Sequence, residues 1–118
     1  MTTRRTDLRQ ISEDLTANEK DIVERCLQAA VEGTFFPDWE FRTLMGAERS
    51  EVRAVWLAWP DGEADGPSYP VSSVLNNLLG YPHAKDDALL VLVPEGMDAI
   101  QRVFDKIWSR RERIGESA

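Results

Sequence analysis

Four stretches of the chain place apolar residues three and four apart, the spacing that gathers them on one side of a helix. The first opens at Thr16, an N-cap whose capping box is completed by Glu19. Ile22, Val23, Cys26, Leu27, Ala30 and Val31 then share one face, and Gly33 is expected to supply a left-handed stop. Asp21 and Arg25 stand four apart in the favourable order. The second stretch runs from about Glu48 to Trp59 with Val52, Val55, Trp56 and Trp59 in register, and Pro60 cannot continue it. The third starts at Pro70, a residue suited to a first turn, carries Val71, Val74, Leu75, Leu78 and Leu79, and stops at Gly80. The fourth has the cleanest stripe, Ile100, Val103, Phe104, Ile107 and Trp108, with Asp98 and Arg102 paired on its outer face.

Ala88 to Val93, the longest apolar run, fits either a strand or a short buried helix. No second convincing strand accompanies it, and a lone strand would leave backbone polar groups unpaired. A short helix capped by Asp86 and Asp87 is therefore expected, and pairing with a second copy of the chain is the alternative. Leu8, Ile11 and Leu15 suggest a turn or two at the N-terminus. Together these patterns predict an all-α fold, a compact bundle of four main helices plus short helical segments.

The two halves also resemble each other. Gly33 and Gly80 each end a helix, Phe36-Pro37 and Tyr81-Pro82 follow, and an apolar element and a longer helix come next. The glycines set an offset of 47, placing Leu27 on Val74 and Val31 on Leu78, while the second helices match at 48. Such a period suggests two helix–loop–helix repeats, over 16–60 and 70–111, packed face to face within one domain spanning 1–118. Short basic arms, 1–6 and 112–118, would flank them.

The chain's 118 residues suit one such domain, with 42% hydrophobic and 30% charged residues and a net charge of −7. The acidity sits in the middle: residues 12–105 hold 18 acids and 7 bases, a balance of −11, and both ends are basic. Such a body repels phosphates and attracts basic partners, which argues against nucleic acid. The lone Cys26 excludes an internal disulfide and any CxxC pair. No apolar run approaches a membrane span, and no h-region follows the basic N-terminus, so a cytoplasmic protein without a membrane role is expected.

Catalytic signatures are missing: no GxSxG, HExxH, phosphate loop or dinucleotide fingerprint occurs, and no cofactor is expected. Cys26, on an apolar face, reads as a buried hydrophobe. His83, the only histidine, could act with Asp86 and Asp87, but a loop histidine more often caps a turn. Asp61, Glu63 and Asp65, with Gly66, resemble the front half of a calcium loop. Ser72 at the twelfth position and the prolines Pro67 and Pro70 disfavour it, so no metal site is expected. Ser72, Ser73, Asn76 and Asn77 form the polar side of the third helix.

Phe35, Phe36, Trp39 and Phe41 crowd into seven residues. If a short helix starts at Asp38, Phe41, Leu44 and Met45 share a face and Trp39 points about 160° away from Phe41. Trp39 is then either covered by another element or exposed as an interface anchor. Phe35, Phe36, Trp39, Tyr81 and His83 are the candidate partner-binding residues. A small acidic protein-binding module is expected, neutralising a basic protein in the manner of immunity or antitoxin proteins. Two alternatives stand beside it. One is a small-molecule or enzymatic domain whose cleft between the halves is lined by Tyr81, His83, Asp86, Asp87 and Trp39. The other is a homodimeric scaffold, so monomer and homodimer both stay open.

Overall fold

The computed structural model describes residues 5–33, 35–65, 69–81 and 83–117. Residues 1–4 of the expected N-terminal arm, Gly66 and Pro67 of the acidic loop, Pro82 and Ala118 lie outside them. Helices dominate: α1 (Arg9–Ser12), α2 (Ala17–Glu32), α3 (Asp38–Met45), α4 (Arg49–Ala58), α5 (Tyr69–Gly80), α6 (Asp86–Leu92) and α7 (Met97–Ser117). The protein is all-α. The one addition is an antiparallel ribbon of two three-residue strands, β1 (Arg5–Asp7) and β2 (Glu63–Asp65), in which Thr6 faces Ala64. Neither strand has an apolar alternation to announce it.

The capping box at Thr16 forms in both directions: the Thr16 hydroxyl accepts from Glu19 N–H and the Glu19 carboxylate accepts from Thr16 N–H. Glu48 and Glu51 build a second box before α4. Gly33 does not supply a left-handed stop, since its backbone is extended at φ −83°. It is there for space, because a Cβ would stand 2.5 Å from the Ala29 carbonyl oxygen and 2.8 Å from Phe35. Among the described glycines, Gly46, after α3, and Gly96, before α7, take positive φ instead. Asp86 and Asp87 occupy the first turn of α6, and Lys85 is the N-cap. Arg25 donates to the Asp21 and Leu92 carbonyls and pairs with Glu95 at 2.8 Å.

One apolar core joins the helices. Leu8, Val23, Leu27, Met45, Val52, Leu75, Leu78 and Ile100 are fully buried within it. The N-terminal segment belongs to this core, with Leu8, Ile11 and Leu15 buried. Ser12 hydroxyl donates to the Pro60 carbonyl, tying α1 to the end of α4. Arg110 of α7 clamps α1 through Asp14, Glu13 and the Gln10 carbonyl. Helix α7 continues to Ser117, so the backbone of 112–117 is helical and not a free arm.

The order long helix, short helix, long helix occurs twice, as α2–α3–α4 and α5–α6–α7. Asp38 and Asp86 open the short helices and Arg49 and Met97 the helices after them, in both cases 48 residues apart. Buried positions coincide at the same offset: Val23 and Val71, Leu27 and Leu75, Phe41 and Leu89, Met45 and Val93, Val52 and Ile100. The glycine-based offset of 47 misses this by one, because Gly33 follows α2 whereas Gly80 is the last residue of α5. Packing is reciprocal as well: α2 touches α4 as α5 touches α7, α3 packs on α5 as α6 packs on α2, and α2 and α5 meet in the middle. Each middle helix even caps the other half's short helix at the matching carbonyl, Arg25 donating to Leu92 and Asn77 to Leu44.

Candidate partner-binding surface

The structure distributes the predicted site residues over separate places. Phe35 and Phe36 lie in the core and meet half-buried Tyr81 and His83 edge to face, at centroid separations of 5.2 Å for Phe35–His83 and 5.6 Å for Phe36–Tyr81. The Tyr81 hydroxyl donates to Glu40, and that hydrogen bond raises the phenol above its ordinary value. His83 uses both ring nitrogens: Nδ1 accepts from Lys85 N–H and Nε2 donates to the Leu78 carbonyl, each at 3.0 Å. The ring thus caps the end of α5 and braces a turn in which Ala84 takes the left-handed conformation, φ 58°. Neither nitrogen is left for a substrate or a metal. Burial pushes the Cys26 thiol up to about 12, so it stays protonated and inert near neutrality.

Trp39 stands apart from this cluster, 79% exposed on α3, while Phe41 turns inward. Asp86 and Asp87 line a different cleft, against α7, so the five residues expected to share one cleft between the halves do not. In the acidic loop, Glu63 and Asp65 belong to strand β2. Among the described residues, no group of three histidine, cysteine or carboxylate side chains is placed to hold a metal ion. None of the described helices is long and apolar enough to cross a membrane.

The feature that sequence periodicity did not reveal is the outer face of α6. This helix is not fully buried as expected: only Leu89 points into the core, and Leu90, Val91 and Leu92 are 54%, 79% and 37% exposed. A helix of seven residues with one inward anchor presents the rest to solvent, and in an unbroken apolar run that face is apolar. Beside it, α6 and the start of α7 enclose a cleft of about 160 Å³. Leu89, Leu90, Val93, Met97 and Ile100 supply its apolar lining and Asp86 and Asp87 its acidic rim.

At the offset of 48 the first half carries different residues. Leu90 and Val91 match Arg42 and Thr43 of α3, both exposed. Met97 matches Arg49, which with Asp38, Val31 and Phe36 lines a cleft of about 420 Å³. The Arg49 guanidinium lies 4.3 Å from the Phe41 ring centroid, pairs with Asp38 at 2.8 Å, and donates to the Ala30 and Val31 carbonyls. The second half keeps an aspartate, Asp86, at the place of Asp38 but has Leu89 and Met97 for Phe41 and Arg49. Among the described residues no cation pairs with Asp86 or Asp87, whereas Arg9, Arg25, Arg42, Arg49, Lys106 and Arg110 are all engaged with carboxylates.

A second cleft, about 320 Å³, runs between α5 and α7, where Ser72, Ser73 and Asn76 face Phe104 and Trp108. Asn77, from the same polar side, is structural and donates to the Leu44 and Ser73 carbonyls. No known protein family, curated protein or solved structure matches the chain.

Proposed function

We propose that the protein is a binding module for a basic protein partner and that the face of α6 is where the partner docks. The observation that carries this reading is the exposure of Leu90 and Val91 beside an acid-rimmed cleft, at positions where the matching helix presents Arg42 and Thr43. A fold that accepts arginine and threonine there has no structural need for leucine and valine. Exposed contiguous apolar surface of this kind marks interaction sites. The unpaired carboxylates beside it, and the net charge of −7, favour a partner of opposite sign. An inhibitor that covers a basic protein fits these features. We read the two halves as copies of one helix–short helix–helix unit, with the site lying where the copies differ. The shared offset of 48 and the reciprocal packing support that reading.

The test is affinity purification of the chain and of its L90R/V91T variant, at low and high salt, from the host. Arg and Thr are the residues that the first half carries at these places, so the variant should keep the fold. The reading expects a stoichiometric basic protein that the variant fails to retain and that salt releases. Equal capture by both forms, or capture that is indifferent to salt, would contradict it.

A further inference from the structure

We infer that the cleft between α6 and α7 is a socket for one arginine side chain of the partner, an inference that rests on the docking reading above. The first half supplies the template. There Arg49 lays its guanidinium on Phe41, against Asp38, between α3 and α4. At the matching place α7 begins with Met97, the aspartate is retained as Asp86, and a cleft of about 160 Å³ is left open. Arginine combines a long apolar stem with a charged, planar head. The cleft has the complementary arrangement: Leu89, Leu90 and Met97 would cover the stem, and Asp86 and Asp87 at the rim would receive the head. A purely apolar side chain would leave both carboxylates without a partner, and an acidic one would be repelled. The neighbouring Leu90 and Val91 then hold the apolar residues that flank the arginine in the partner segment.

The probe is N-acetyl-arginine amide, titrated into the labelled full chain and followed by the backbone amide signals of Leu89, Val93 and Met97. N-acetyl-leucine amide is the control. The expected result is weak, saturable binding of the arginine probe, with little response to the leucine probe. Met97→Arg, which should fill the socket from within, is expected to weaken the response by at least about 10-fold. A second variant, D86N/D87N, keeps the cleft shape and should also lose the arginine response, so the test stands even if Met97→Arg fails to fold. Equal binding of both probes, an arginine response indifferent to D86N/D87N, or no response at the cleft would overturn the socket. Partner capture separates this from the broader reading. If L90R/V91T loses the partner and Met97→Arg retains it, the docking face survives and the socket falls. If neither variant changes capture, the docking face falls, and the probe titration alone judges the socket.

Discussion

At the scale of the residue, two side chains report directly on how the chain is held together. Ala84 sits at φ 58°, which costs an L-residue roughly 1–2 kcal/mol, and His83 braces the turn by accepting Lys85 N–H. Replacing Ala84 with glycine should therefore stabilise the protein by roughly 0.5–1 kcal/mol, read as a higher denaturation midpoint. Cys26 gives an alkaline signature. Its folded value of about 12 lies above the ordinary 9.0 because burial disfavours the thiolate. The folded state thus holds its proton longer, and the associated stability is complete below pH 9 and lost as pH rises through about 12. A Cys26→Ala variant should show a flatter fall in melting temperature across that range. Cys26 was legible from sequence, since its helical face alone places it inside. His83 was legible only as a turn histidine, because the Leu78 carbonyl and the Lys85 amide that fix it are matters of three-dimensional placement.

At the scale of the element, α6 shows where sequence reading stops. Its helical nature followed from the lack of a partner strand, but its orientation did not. Six consecutive apolar residues carry no period to say which of them faces inward. Only the packing of Leu89 and Val93 settles that Leu90 and Val91 face out. The ribbon β1–β2 was missed for a related reason, since its three-residue strands owe their pairing to the anchoring of Leu8 and Gly62. L90R/V91T is expected to change stability by no more than about 0.5 kcal/mol, as exposed substitutions generally do, which chemical denaturation would check. Arg49→Met should cost about 2–3 kcal/mol, because it unties α4 from the Ala30 and Val31 carbonyls and from Asp38. The tie between α2 and the end of α6 depends on acid. The hydrogen bond from Arg25 holds the Glu95 carboxyl below its ordinary 4.5, so its contribution is present above that value and lost as pH falls through the lowered one. Arg25→Gln should remove this acid-side dependence from the melting curve.

At the scale of the whole molecule, the two halves can be compared position by position at the offset of 48. They agree in element order and buried positions and differ at Leu90, Val91 and Met97. The sequence suggests this correspondence through Val52 against Ile100 and Val55 against Val103. It could not place the difference, because Arg42 and Leu90 acquire meaning only once both are seen on the outer faces of matched helices. On the proposed function, this apolar face is kept for a foreign basic partner. A second copy, itself at −7, is the occupant that would contradict it. Light scattering on the purified chain and on L90R/V91T, over a wide concentration range, decides between them. With a foreign partner, both forms are expected to be monomers of 13.4 kDa. A dimer of the unsubstituted chain that L90R/V91T dissolves would contradict it and assign the face to self-association.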